Sequence, residues 1–220
     1  MHTTEVTIQA GEVLLEGSVA LPEAAKGIVV FVHGSGSSRF SPRNRSVAEF
    51  LNQGGLATLL FDLLTPEEHE LDQQTRALRF DIALLTGRLT AAVDWLGKQP
   101  DTRELRIGLF GASTGAAAAL NTAAERPDRV AAVVSRGGRP DLAMTALPRV
   151  QAPTLLIVGG LDRMVIELNR AAAGRLIMEQ RIEIIPGATH LFEEPGKLEE
   201  VAHLAREWFQ RYFNPHSRRI

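Results

Sequence analysis

The chain has 220 residues, 45% of them hydrophobic and 23% charged, which is enough apolar material for a sizeable core and excludes disorder as a description of the whole. There are no cysteines, so disulfides, thiolate metal centres and cysteine nucleophiles are excluded and any chemistry must use oxygen or nitrogen groups. A formal charge of -2 leaves no surplus of cations to neutralise a nucleic-acid backbone.

The opening MHTTEVTIQA lacks the basic start and apolar stretch of a leader, and no apolar run is long enough to cross a bilayer, so a cytoplasmic domain without a membrane partner is expected. In chain order, Val6 to Ile8 and Val13 to Leu21, with Gly11 between them, read as two strands and a short turn. From Gly27 onward, apolar runs at 27–33, 56–63, 105–111, 130–135, 153–160 and 181–187 alternate with helical segments. Continuous apolar runs suit strands covered on both faces, which predicts a parallel sheet. Ser41 before Pro42 marks a helix start, and Gly54-Gly55 marks its end. Leu78, Ile82, Leu85, Leu89, Val93 and Leu96 form one stripe of a long amphipathic helix, and Leu198, Val201, Ala205, Trp208 and Tyr212 form another. Right-handed crossovers then place helices on both faces and gather the loops that follow strands at one edge, where function is to be sought.

At that edge the strongest signal is Gly111-Ala112-Ser113-Thr114-Gly115, between an apolar strand run and an alanine-rich helical segment. Such a nucleophile elbow lifts a serine hydroxyl above the sheet, and the glycines let the tight turn pack without a clashing Cβ. A serine needs a base to take its proton and an acid to orient the base. His190 in PGATHLF and Asp162 in GGLD follow the last two strand runs, so serine, acid and histidine come in the chain order of an α/β-hydrolase catalytic triad. Asp62 is the rival acid. The oxyanion hole is expected from the backbone N–H groups of Thr114 and Ser35, the latter in His33-Gly34-Ser35-Gly36. His33 is read as a structural brace for that loop, and His2, His69, His203 and His216 as incidental.

With HGSGSSRFSPRN, GASTG, GGLD and PGATHLF in place, the sequence resembles an α/β-hydrolase and, more narrowly, the compact members of the dienelactone hydrolase family. The resemblance covers most of the chain. It implies an eight-stranded, mostly parallel sheet in a single domain over 1–220, ester or lactone hydrolysis through an acyl-enzyme, and no cofactor. The namesakes use a cysteine nucleophile where this chain has Ser113, which favours simple carboxylic esters over dienelactone. The short span between Ser135 and Pro153 predicts that no large cap domain covers the site.

Competing motifs are weaker. His69-Glu70 opens a zinc pattern whose second histidine would be position 73, which is Gln73, so no metal is expected. Gly34-Ser35-Gly36 with Asp62 downstream resembles a dinucleotide fingerprint, but the third glycine is replaced by Arg39. A non-catalytic binding module on the same fold is the other alternative. Apart from Lys26, Lys98 and Lys197 every basic side chain is arginine, and Arg39, Arg43, Arg136 and Arg139 fall at or beside the functional edge. Arg39, Arg43 and Arg136 are candidates for binding an anionic part of a substrate; internal pairing, for instance of Arg136 or Arg139 with Asp141 and of Arg43 with an acidic helix residue, is the plainer alternative.

Overall fold

The structure is a computed structural model that describes residues 2–214, so His216 lies outside the described residues. The chain runs β1 (His2–Ala10), β2 (Val13–Leu21), β3 (Gly27–Val32), α1 (Pro42–Gln53), β4 (Ala57–Phe61), α2 (Pro66–Thr75), α3 (Ile82–Leu96), β5 (Arg106–Ala112), α4 (Thr114–Glu125), β6 (Val130–Arg136), β7 (Thr154–Gly159), α5 (Arg163–Ala173), β8 (Gln180–Ile185) and α6 (Lys197–Phe213). The strands form one sheet of eight in the order β1-β2-β4-β3-β5-β6-β7-β8. β2 is antiparallel to both its neighbours, and the pairings from β4 to β8 are parallel. This is the mostly parallel sheet expected from the apolar runs. Only short 3-10 turns at Pro140–Ala143 and Leu147–Arg149 lie between β6 and β7, so no cap domain is inserted there.

Two cores form because each central strand is apolar on both sides. On one face Val30 and Leu109 meet Leu85, Leu89 and Val93 of α3 and the alanines of α4. Ala116 to Ala119 are completely buried, and their small side chains let α4 lie close to the sheet. On the other face Phe31 and Phe110 meet α1 and α6. Here Gly27 and Gly108 make room for aromatic rings: a Cβ on Gly108 would stand 2.5 Å from Cε1 of Phe209, and one on Gly27 would overlap the ring of Phe213.

Two local readings change. The stripe from Leu78 does not run through one helix. Leu78–Phe80 is a 3-10 turn, and Asp81 caps α3 by accepting the Leu84 N–H at 2.9 Å, so a polar cap stops the helix where apolar spacing alone would continue it. α2 is an added helix. It has no apolar stripe and buries only Asp72, but its start carries a reciprocal capping box, with Thr65 Oγ1 accepting the Glu68 N–H at 3.2 Å and Glu68 Oε2 accepting the Thr65 N–H at 2.9 Å. Among the described residues no helix is long and apolar enough to cross a membrane, and no group of three or more His, Cys, Asp or Glu is arranged to hold a metal ion.

Candidate active site

Ser113 follows β5 and caps the start of α4 with φ 50° and ψ -121°, the left-handed region that a side chain seldom occupies. The surrounding backbone enforces it. Gly111 packs so tightly that a Cβ would stand 2.5 Å from Cα of Ala116, and a Cβ on Gly115 would overlap the Val32 carbonyl and come within 2.6 Å of the His33 oxygen. The Ser113 amide donates to the Arg136 carbonyl at 3.3 Å, and the Ser113 carbonyl accepts from the Arg139 amide at 3.0 Å. β6 and the loop beyond it therefore clamp the elbow.

The loops after β7 and β8 lie directly against one another. The Leu161 amide donates to the Ala188 carbonyl at 3.0 Å, and Gly159 leaves no room for a Cβ, which would sit 2.5 Å from the Ala188 and Thr189 oxygens. This contact brings Asp162 to His190, with Nδ1 2.6 Å from Asp162 Oδ2. Asp162 occupies the N-cap position of α5 but makes no side-chain cap bond, so its carboxylate is spent on the histidine. With Nδ1–H donating to Asp162, the other ring nitrogen is left to accept a proton. Among the described residues no hydrogen bond joins Ser113 to His190. Both residues flank the turn at Gly137, where a Cβ would be 3.5 Å from Cε1 and Nδ1 of His190.

On the other side, the loop after β3 is held over Thr114. The hydroxyls of Ser35 and Thr114 share a hydrogen bond of 2.9 Å, and Ser35 Oγ donates to the Arg79 carbonyl at 3.3 Å. His33 acts as the expected brace. Its Nδ1 donates to the Gly34 carbonyl at 3.1 Å, and its Nε2 accepts the Leu63 amide at 3.1 Å, a role that requires a neutral ring. Burial is the main cause that lowers the His33 pKa and keeps it so. The partner of this loop that the sequence reading missed is Arg79. Its Nε donates to Asp72 Oδ2 at 2.7 Å and its amide to Oδ1 at 2.9 Å, and its Nη1 lies where a Cβ on Gly36 would be 3.0 Å away. Asp72 is completely enclosed. Burial alone would raise its pKa, but the Arg79 hydrogen bonds outweigh it and hold the carboxyl below its ordinary value.

The arginines separate by partner. Arg39 is committed to Glu5, Glu16 and Asp62, at 2.5, 2.9 and 3.1 Å, so it braces the β1–β2 hairpin against the β3 loop instead of presenting its charge to a substrate. Asp62 is occupied by that contact and by the Arg39 amide at 2.8 Å, which removes it as the histidine's acid. Arg139 pairs with Asp141 through two bonds of 2.9 and 2.8 Å. Arg43 Nη1 meets Glu193 at 2.7 Å, and Arg136 reaches only Asn44. A cleft of about 250 Å³ lined by Leu14, His33, Phe40, Asp62 and His69 adjoins the β3 loop but does not include Ser113 or His190. Close to the histidine and its acid in the chain, Leu161 and Met164 lie on either side of Asp162 and Leu191 follows His190, and all three are open to solvent.

Comparison with known proteins places this geometry. Residues 15–216 match the model of the dienelactone hydrolase family. The chain is 61% identical to a dienelactone hydrolase from Anabaena variabilis ATCC 29413, whose crystal structure superposes with a TM-score of 0.96 over 97% of this chain and 99% of that one. It is also 58% identical over 209 residues to a Mycobacterium tuberculosis protein provisionally named a phosphoribosyl transferase. That match covers 95% of this chain and 46% of the other, so the chain spans about half the length of the curated relatives it matches. Est1E from Butyrivibrio proteoclasticus shares the fold at 17% identity, with a TM-score of 0.79 over 94% of this chain and 98% of that one.

Proposed function

The chain belongs to the dienelactone hydrolase family, and we propose that within it this protein is a serine esterase that cleaves small carboxylic esters or lactones in the cytoplasm, without a cofactor. The observation that carries the reading is the 2.6 Å pairing of His190 with Asp162 on the sheet edge that also holds Ser113 in its left-handed turn. His190 takes the Ser113 proton as the hydroxyl attacks the carbonyl carbon, and Asp162 stabilises the resulting imidazolium. The N–H groups of Ser35 and Thr114 receive the negative charge that develops on the carbonyl oxygen. The protonated histidine then gives its proton to the departing alcohol. Water, deprotonated by the same ring, attacks the acyl-enzyme and frees the acid.

The exposed Leu161, Met164 and Leu191, next to Asp162 and His190 in the chain, suit a small acyl or aryl group. The phosphoribosyl transferase name describes a protein of which this chain matches 46%, and a triad of this kind has no part in phosphoribosyl transfer. The test is labelling by a fluorophosphonate together with turnover of p-nitrophenyl esters of increasing chain length. Ser113→Ala is expected to abolish labelling and to lower kcat/KM by at least about 10³-fold, with short chains the better substrates. A wild-type protein that takes no label and turns over no short ester overturns the reading and leaves a binding module.

A further inference from the structure

Below the catalytic edge, on the face covered by α1 and α6, Arg136 is 7% exposed. It ends β6 beside Ala112 and faces the same side as Val134, so its side chain runs under the elbow toward α1. Nη2 donates to Asn44 Oδ1 at 3.3 Å, whereas Nε and Nη1 are shielded from solvent and among the described residues meet no acceptor. Asn44 lies in the first turn of α1, a helix of 12 residues. In that turn Ser41 Oγ takes the Asn44 amide at 3.4 Å and the Ser41 carbonyl takes the Arg45 amide at 2.9 Å. Pro42 has no N–H, and among the described residues the Arg43 amide makes no hydrogen bond, so the positive end of the helix keeps an open donor. Arg43 Nε is likewise buried without an acceptor. Two guanidinium groups thus lie beside a helix N-terminus, and of these only Arg43 meets a carboxylate, that of Glu193, which is itself 61% exposed. Burial, with Arg43 nearby, lowers the Arg136 pKa to about 10, which still leaves it charged at neutral pH. A buried charge with unused donors is costly unless an anion completes it.

We propose that Arg136, Arg43 and the N-terminus of α1 form a site for a phosphate-type oxyanion, either free or carried on a substrate. Glu193 shows what a planar carboxylate can do here: it satisfies one nitrogen of Arg43 and leaves the remaining donors unmet. A tetrahedral oxyanion presents oxygens in more directions and can accept from both guanidinium groups and the helix amide together. The way in is past Glu193, whose carboxylate the ion displaces from Arg43. Because Glu193 is three residues from His190, a filled site acts on the loop that carries the histidine.

The site can be tested without reference to ester turnover, so its failure and that of the esterase reading are distinguishable. Thermal unfolding of the full chain is followed as inorganic phosphate replaces chloride at constant ionic strength. A saturable rise in Tm is expected for the wild type and is lost in Arg136→Gln and in Arg43→Gln, the second being the safer variant because Arg43 is partly exposed. Glu193→Gln, which removes the competing carboxylate, should lower the phosphate concentration at half-effect several-fold. Phosphate that raises KM for a p-nitrophenyl ester with kcat unchanged identifies the place of a substrate's own phosphate group. A Tm response without inhibition identifies a free-ion site, and either result supports the proposal. No saturable rise, an equal rise in both arginine variants, or acetate acting as well as phosphate overturns it.

Discussion

At Ser113 and out to His190 the chain is positioned by backbone pressed on backbone: Gly111 against α4, Gly115 against the end of β3, Gly159 against the Ala188–Thr189 carbonyls. On the β4 side the same edge is positioned by charged side chains, Arg39 among Glu5, Glu16 and Asp62, and Arg79 on Asp72 beneath the Ser35 loop. Close packing fixes atoms to within a few tenths of an ångström and is indifferent to salt and pH, whereas ion pairs hold a loop by forces that both can weaken. Ser113 and His190, the proposed nucleophile and base, are held by packing. The Ser35 loop is half and half, clipped to Thr114 by a hydroxyl pair and held from outside by arginine.

Replacing a packed glycine should break the first side outright. Gly115→Ala would drive a Cβ into the Val32 and His33 carbonyl oxygens, which are backbone and cannot yield, so a loss of about 3 kcal/mol in urea unfolding and near-complete loss of esterase turnover are expected. A protein of unchanged stability would show that packing is not what holds the elbow. On the charged side, Asp72→Asn leaves Arg79 short of its acceptor and should cost about 2 kcal/mol while ester turnover falls but persists. The same carboxylate sets a pH dependence. Its folded pKa lies below the ordinary 3.8, so its stabilisation is complete above that value and is lost as pH falls through the lower, folded one. The acid limb of a Tm profile should therefore be shallower in Asp72→Asn than in the wild type. The smallest effect belongs to Arg39→Met. Glu5 and Glu16 are well exposed, so about 1 kcal/mol or less is expected at low salt and less still at high salt, and a salt-independent loss would contradict the division between the two sides.

The same division decides what could be read from the sequence. Backbone packing leaves short local marks, GASTG, GGLD and PGATH, because each tight turn needs small residues at fixed places. The strands, the helix start at Ser41 and Pro42 and the pairing of Asp162 with His190 followed from such marks and from apolar runs. The partners of Arg39 are scattered at positions 5, 16 and 62, and nothing local announces that they meet. Arg79 was hidden inside a stripe that looked helical, and α2 was passed over for want of apolar periodicity although Thr65 and Glu68 spelled its cap. Arg136 looked like a loop-edge residue because the apolar run stops at Ser135, whereas β6 continues by one residue and carries the guanidinium inward.

The aromatic seat of α6 bears on the order of assembly. Phe209 and Phe213 fill the hollows over Gly108 and Gly27, on the two central strands β5 and β3, and α6 is the last described element of the chain. During synthesis the sheet can therefore pair from β1 to β8 while Phe31 and Phe110 still lack part of their cover. A nascent chain stalled before Lys197 presents a water-exposed aromatic groove and is exposed to aggregation or chaperone capture, so α6 acts as the lock on a fold whose sheet is already in register.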